Sequence, residues 1–231
     1  MTGPDVPASF RLGYVPGVTP GKWARIWAER LPDVGLELVT VTTADAEDAV
    51  RTGAVDAAVL RLPIDRAGLH AIPLYTETTV VVVPKDHVAT AVDELTVDDL
   101  ADELVLHPPD AALVWDGPAP GTAAATDPAT TADAVELVAA GVGVLVVPQS
   151  LARLHHRRDL TYRPLTGGPT SSVVLSWPDA ETSELMEQFI GIVRGRTVNS
   201  SRTPPRATER RPAAPARTPA RRPARRGRPR R

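Results

Sequence analysis

The chain of 231 residues has a formal net charge of −2, but this charge is divided unevenly along it. Residues 202–231 hold twelve arginines, seven prolines and one glutamate, a formal +11, so the preceding 201 residues carry −13. The lack of cysteine excludes a disulfide framework and thiolate chemistry, and no apolar run approaches the roughly 18 residues of a membrane span. Residues 1–9 predict a short disordered lead without the features of a secretory signal, so the expected compartment is the cytosol.

The first half of the chain predicts strands alternating with helices. We place helices at 20–31 and 44–51, with Thr19 and Thr43 as their expected N-caps and Pro20 at the first helical position. Strands are predicted at 10–15, 36–42 and 56–60. The order β-α-β-α-β is typical of a parallel sheet with crossover helices.

The second half changes character at the β-branched run 78–83, which ends at Pro84 and predicts a strand buried on both faces. Thr96 and Thr130 are expected to cap helices at 97–101 and 130–140, and the Ala-, Gly- and Pro-rich segment 110–128 is expected to be a loop. The remaining predicted elements are strands at 103–107, 144–147, 160–165 and 173–177 and helices at 150–155 and 181–193.

Four stretches together resemble the effector-binding domain of LysR-type transcription regulators. They are residues 10–17; Gly53 to Val59 (GAVDAAV), against the family pattern G-x-L-D-x-A-I; Pro73-Leu74 with 80–87 (VVVVPKDH); and 100–103 with 138–148 (VAAGVGVLVVP). The resemblance covers residues 10–196. It implies an α/β fold of the type 2 periplasmic-binding-protein kind, with two lobes of mainly parallel sheets, two crossover strands and a ligand cleft between the lobes.

On this resemblance, lobe 1 takes in about 10–82 and 165–196, and lobe 2 about 83–164. Lobe 2 is expected to be reduced, because residues 110–128 replace a segment that usually supplies a helix and a strand. Regulators of this family normally begin with a winged helix-turn-helix and a linker helix, whereas nine residues precede Phe10 here. Both elements are therefore expected to be missing.

The resemblance also implies a set of ligand-binding residues for a small organic anion. They are Gly17, Val18, Thr19, Thr42, Thr43, Arg61 and Thr130. Hydroxyl groups at helix N-termini favour an anion, and Arg61 could pair a carboxylate bidentately. The alternative is that these threonines are ordinary helix caps.

Three further residues have competing interpretations. Asp56 is expected to be structural rather than catalytic. Trp23 and Trp27 are interpreted as part of a homodimer interface, with the core of lobe 1 as the alternative. The chain has no nucleophile elbow, zinc-protease or phosphate-loop motif, so we predict no enzyme activity, no cofactor and no metal.

The basic tail, residues 197–231, repeats Pro-Ala-Arg at four-residue spacing, which forbids a helix and predicts an extended, disordered segment. Its end resembles the R-G-R-P core of an AT-hook, formed by Arg226, Gly227, Arg228 and Pro229 with Arg225 alongside. Such a core fits the narrow minor groove of A·T-rich DNA. RNA, an anionic membrane surface or the acidic body of the chain would meet the same charge.

The leading hypothesis is a non-enzymatic sensor of small molecules, related to LysR-type regulators, that contacts DNA through its basic tail. The alternative is a stand-alone binding or interaction module, without DNA binding of its own, that sequesters a metabolite or modulates a regulator by dimerisation.

Overall fold

The computed structural model describes residues 9–123, 128–180 and 182–196, which form two α/β lobes built on separate sheets. The lead before Ser9, the basic tail and the proposed AT-hook residues lie outside the described residues. None of the described helices is both long and apolar enough to cross a membrane.

Lobe 1 is built on a five-stranded sheet with the order β2-β1-β3-β11-β4. Its strands are β1 (Ser9–Tyr14), β2 (Gly35–Thr40), β3 (Ala57–Arg61), β4 (Leu69–Glu77) and β11 (Ser171–Pro178). Its helices are α1 (Gly21–Arg30), α2 (Ala46–Arg51) and α5 (Glu184–Val193). Apolar side chains of these helices and of both sheet faces form one core cluster.

Lobe 2 is built on a six-stranded sheet with the order β6-β10-β5-β9-β7-β8. Its strands are β5 (Thr79–Pro84), β6 (Leu95–Thr96), β7 (Leu104–Leu106), β8 (Thr122–Ala123), β9 (Val144–Pro148) and β10 (Leu160–Thr166). Its helices are α3 (Thr131–Ala139) and α4 (Gln149–Leu154), with 3-10 turns at Val88–Ala91 and Asp98–Leu100. The sheet separates two core clusters, one on each face.

The predicted fold class is confirmed, and the structure shows where antiparallel pairing enters it. β1 pairs in parallel with β2 and β3, as the β-α-β-α-β pattern predicts. β11 is antiparallel to β3 and β4, and β5 is antiparallel to β9 and β10. All of these antiparallel pairs contain β5 or β11, which continue the chain directly from the other sheet without a helix between.

The lobe boundaries differ from the predicted positions. All of β5 belongs to lobe 2, so the first crossover falls at Thr78 rather than after residue 82. The return crossover lies at residues 167–170, between β10 and β11, rather than after residue 164. Because β-branched residues suit a strand of either sheet, the run 78–83 does not itself indicate to which lobe it belongs.

The sequence patterns missed three described strands, β4, β6 and β8, and misplaced one helix cap. β8 lies within residues 110–128, which were expected to be a loop, and it pairs in parallel with β7. β4 was not predicted, because Pro73 interrupts its run; it is an edge strand with a register shift opposite Val173 and Val174, a position that tolerates proline. Thr96 lies in β6 and does not cap a helix, since the 3-10 turn has Val97 before it; instead, the backbone N–H and the hydroxyl of Thr96 donate to Asp99.

Trp27 lies in the core of lobe 1, which corrects its assignment to a dimer interface. The residue is only 1 % exposed and stacks on Phe10, with ring centroids 5.1 Å apart, and it also contacts Phe189. Its Nε1–H donates to the carbonyl of Val34 at 2.9 Å. Trp23 is half-buried against the same cluster, so its role at an interface stays a prediction.

Replacing Trp27 by Phe should lower the free energy of unfolding by about 2 kcal/mol, because it leaves a void and removes the hydrogen bond to Val34. Urea denaturation measures this change. The matched control Trp23→Phe should cost under about 1 kcal/mol, since that ring is half-buried. Equal stability losses in the two variants would contradict the core assignment of Trp27.

Candidate functional site

A cavity of about 720 Å³ lies between the two lobes. Lobe 1 lines it with the loop that follows β1 and with the C-terminal ends of β1, β2 and β3. Lobe 2 lines it with the start of α3 and with α4. Seven lining residues carry hydroxyl groups: Tyr14, Thr19, Thr40, Thr43, Thr130, Thr131 and Ser150. Because both lobes contribute polar groups, a molecule bound here would contact both.

Six of the seven predicted ligand-binding residues line this cavity: Gly17, Val18, Thr19, Thr43, Arg61 and Thr130. The structure brings them together from both lobes. Thr42 does not line the cavity. Its hydroxyl donates to Asp45 Oδ2 at 2.6 Å and accepts from the Asp45 backbone N–H at 3.1 Å, so it closes a local turn before α2.

Arg61 is the centre of the polar contacts at the base of the cavity. Its Nε donates to Glu77 Oε2 at 2.8 Å, and its two terminal nitrogens donate to the carbonyl of Pro16 at 2.7 Å and to Ser150 Oγ at 3.0 Å. The pairing of Arg61 with a ligand carboxylate stays a prediction, and this chain's own Glu77 carboxylate already occupies the Nε side of the guanidinium.

The Arg61–Glu77 pair is almost fully buried, with 2 % and 6 % of the two side chains exposed. Glu77 also accepts a hydrogen bond from the Ser171 hydroxyl at 2.9 Å. Burial acts to raise the pKa of Glu77, but hydrogen bonding with Arg61, Ser150 and Ser171 and the charge of Arg61 outweigh it, so the pKa lies below its ordinary value. The carboxylate is therefore ionised at neutral pH.

This pair also joins the two crossovers. Glu77 ends β4 and Ser171 begins β11, and the two residues are directly paired in the sheet. The hydroxyl of Thr79 donates to the carbonyl of Pro169, which adds a second link between the crossovers. Arg61 thus connects the end of β3, the loop after β1, helix α4 and both crossovers.

Gly17 passes close to this arrangement and has a φ of +84°. A Cβ at this position would lie 2.9 Å from Ser150 Oγ and 3.0 Å from an Arg61 terminal nitrogen. Only glycine combines this left-handed backbone with so close an approach to α4. The sequence Pro16-Gly17 thus sets the contact between the lobe 1 loop and lobe 2.

Of the three cavity threonines that were expected to cap helices, one does so. Thr130 caps α3, where its hydroxyl accepts from the Asp133 N–H at 3.1 Å. Thr19 and Thr43 are not caps, because α1 begins after Pro20 and α2 after Asp45, neither with a side-chain cap. Those two hydroxyls line the cavity without that role.

Asp110 occupies the N-terminus of α3. Its Oδ1 accepts from the Thr131 backbone N–H at 2.7 Å and from the Thr131 hydroxyl at 2.8 Å. The sequence did not point to this contact, because Asp110 lies in an irregular, low-complexity segment 21 residues before its partner. An acidic side chain is favoured at this position by the free N–H groups and the helix dipole.

Other lining residues were also missed, among them Tyr14, Thr40, Ser150, Arg153 and His155. Thr40 and Tyr14 are paired in neighbouring parallel strands, and the Thr40 hydroxyl donates to the Tyr14 hydroxyl at 2.9 Å. Thr40 and Tyr14 lie at the carboxyl ends of β2 and β1, and ligands of open α/β sheets bind at that edge. Their position in the predicted strands could therefore have indicated them.

The assignment of Asp56 as structural is consistent with its contacts to Arg11, at 2.7 Å to the backbone N–H and 2.8 Å to the side chain.

Replacing Glu77 by Gln should lower the free energy of unfolding by about 3–5 kcal/mol, because it leaves the buried Arg61 charge without its counter-ion. Urea denaturation at pH 7 measures this loss. The control Glu29→Gln, in an exposed pair with Arg25, should change stability by under about 0.5 kcal/mol.

The pH dependence supplies a second measurement. Because the folded pKa of Glu77 is depressed, its stabilisation is present above the unfolded value of about 4.3 and is lost as pH falls from there through the folded pKa. Relative to the E29Q control, the E77Q variant should show a weaker loss of stability on acidification. An unchanged acid response would contradict this account of Glu77.

Comparisons with known proteins agree with this geometry. The family model for the LysR substrate binding domain matches residues 8–197. A probable hydrogen peroxide-inducible genes activator of Mycobacterium avium is 32 % identical over 154 residues, covering 62 % of this chain and 50 % of the relative. The Hca operon transcriptional activator HcaR of Escherichia coli (strain K12) is 26 % identical over 201 residues, covering 80 % of this chain and 67 % of that protein.

Among solved structures, the BenM effector binding domain with its effector benzoate has a TM-score of 0.64 at 21 % identity, covering 83 % of this chain and 92 % of that one. This likeness shows the fold. The chain spans about half the length of the mycobacterial relative. Since the family model takes in both lobes and every residue of the cavity, we conclude that this chain belongs to the LysR substrate binding domain family.

Proposed function

We propose that this chain is a non-enzymatic sensor whose interlobe cavity binds a small organic anion. The main observation in support is the cavity itself, which has a volume of about 720 Å³ and is lined by hydroxyl groups from both lobes. Pockets of this size, with a few convergent polar groups among apolar ones, are typical of sites for small molecules. The related BenM domain is described with its effector benzoate, a small organic anion.

A ligand in this cavity would change the relative stability of different arrangements of the two lobes. Thr19 and Thr43 come from lobe 1 and Thr130 and Ser150 from lobe 2, so a bound molecule that hydrogen-bonds to both sets stabilises one arrangement of the lobes over others. The crossovers pass beside the same cavity, through Glu77 and its neighbours. Binding energy therefore acts directly on the segments that join the lobes.

The absence of cysteine bears on the kind of signal. Some relatives are named as hydrogen peroxide-inducible genes activators, but the 231 residues contain no thiol that peroxide could oxidise. Reversible, non-covalent binding in the cavity is the mode of sensing that these residues support.

The basic tail is the proposed DNA contact. Its support is its formal charge of +11 and the sequence Arg226-Gly227-Arg228-Pro229. Arginines spaced by proline and alanine suit the phosphate backbone and the minor groove without a folded domain. Two tails presented by a homodimer would bind DNA more tightly than one, because the second contact becomes intramolecular.

Binding of an organic acid should raise the melting temperature of the protein. At a hundredfold excess over Kd the stabilisation is about 2.7 kcal/mol, which is about 5–10 °C for a domain of this size. A thermal-shift screen of mono- and dicarboxylic acids, followed by calorimetric titration, measures the effect.

Thr19→Val keeps the side-chain volume but removes a cavity hydroxyl, so affinity should fall about 5- to 10-fold. Thr42→Val, outside the cavity, is the matched control and should bind as the wild type does. If no acid in the panel raises the melting temperature or binds, the anion-sensing proposal is overturned and an interaction module is favoured.

Full-length protein should bind an A·T-rich duplex in a salt-dependent way, and a variant truncated at Val198 should not. With six to ten phosphate contacts, affinity falls about 10³- to 10⁵-fold between 50 and 200 mM salt. Fluorescence anisotropy measures both effects. R226A/R228A should lose the preference for A·T-rich over G·C-rich DNA, whereas R206A/R211A, with the same loss of charge, should retain it. Equal binding by full-length and truncated protein would exclude the tail as the contact.

A further inference from the structure

Two positions at the cavity that are suited to an anion are already occupied by carboxylates of this chain. Glu77 holds the Nε side of the Arg61 guanidinium at 2.8 Å. Asp110 accepts the Thr131 backbone N–H at 2.7 Å and so occupies the N-terminus of α3. A ligand carboxylate would have to displace one of these internal groups to use either position.

One lining cation is left without such a partner. Within the described residues, Arg153 forms no ion pair, and its side chain is exposed at the lobe 2 side of the cavity. It lies in the last turn of α4, beside Leu151 and Leu154, which also line the cavity. The same helix therefore offers a positive charge next to an apolar surface.

The formal charges of the two arginines and two carboxylates at the cavity cancel. Arg61 and Arg153 are positive, and Asp110 and Glu77 are negative, so a ligand with one acidic group meets a single unmatched arginine. A second acidic group in the same ligand would lie in a cavity whose remaining charge is the Asp110 carboxylate. Like charges in a partly desolvated space repel strongly.

On the basis of the proposed function, we propose that the cavity selects ligands with a single acidic group and an apolar body. Arg153 pairs with the acidic group at the cavity mouth, and Leu151 and Leu154 contact the apolar body. Asp110 is the specificity-determining residue, because its carboxylate excludes a second acidic group from the N-terminus of α3.

Matched pairs of acids test this selectivity directly by calorimetric titration of the full chain. The pairs are benzoate with benzene-1,4-dicarboxylate and hexanoate with hexanedioate, which differ by one carboxylate on the same body. Wild-type protein should bind the better monoacid at least 10-fold more tightly than its diacid.

Two variants separate the roles of the charged residues. Arg153→Gln should weaken the monoacid about 10-fold, whereas Arg158→Gln, an exposed arginine that does not line the cavity, should leave it unchanged. Asp110→Asn should reduce the preference for the monoacid about 10-fold, mainly by tighter binding of the diacid. Asp116→Asn, in the same irregular segment and outside this cavity, should leave the preference as it is.

The D110N variant should fold, because the amide oxygen of its new side chain can accept both hydrogen bonds from Thr131. The preference is a ratio measured within one variant, which makes it insensitive to a small loss of stability. Tighter binding of the diacid by wild type, or equal effects of the R153Q and R158Q variants, would overturn the selectivity while leaving an anion-binding cavity in place. Failure of both pairs to bind would count against the proposed function itself and against this inference with it.

Discussion

The buried ion pair between Arg61 and Glu77 is the contact on which the arrangement of the two lobes depends. A buried charge pair carries a large desolvation cost, and it is retained only where further hydrogen bonds satisfy both groups. Here Pro16, Ser150 and Ser171 provide them, and each belongs to a different segment. These hydrogen bonds offset the desolvation cost of the buried pair. They also join the loop after β1, helix α4 and the return crossover at one point.

This arrangement also determines the chemistry that is left for a ligand. With Arg61 matched by Glu77 and the start of α3 matched by Asp110, the cavity keeps its hydroxyl groups and apolar side chains but little net charge. The first 201 residues carry −13, so a multiply charged anion is also opposed by the field of the body as it approaches. A weakly charged organic acid fits both the local and the overall electrostatics.

Much of the fold was predictable because local signals coincide with the element ends. Pro84 ends a β-branched run and Pro148 ends an apolar run, and both runs are strands. The position of Gly17, Thr19 and Arg61 at the cavity followed from the family resemblance, because the matching loop and strand ends occur in the family's order along this sequence. What these patterns could not predict was the partner of each polar group. Glu77 lies on β4, an edge strand containing Pro73 that no periodicity indicated.

The same limit explains the errors at Thr19, Thr43 and Trp27. N-cap preference is a local tendency of roughly 1 kcal/mol, and the observed N-caps, Pro20 and Asp45, lie one and two residues after the expected ones. Trp27 and Trp23 lie on one helix with similar local patterns, so only the position of Phe10 and Phe189 shows which ring is enclosed. Residue pairs that are distant in the sequence therefore account for most of what the structure adds.

A crystal structure of the full chain with a bound monocarboxylic acid tests the central claim most directly. It should show the ligand in the interlobe cavity, its carboxylate paired with Arg153, and Glu77 still bonded to Arg61 and Asp110 to Thr131. A ligand carboxylate that replaces Glu77 on Arg61, or Asp110 at the start of α3, would contradict this account of the cavity.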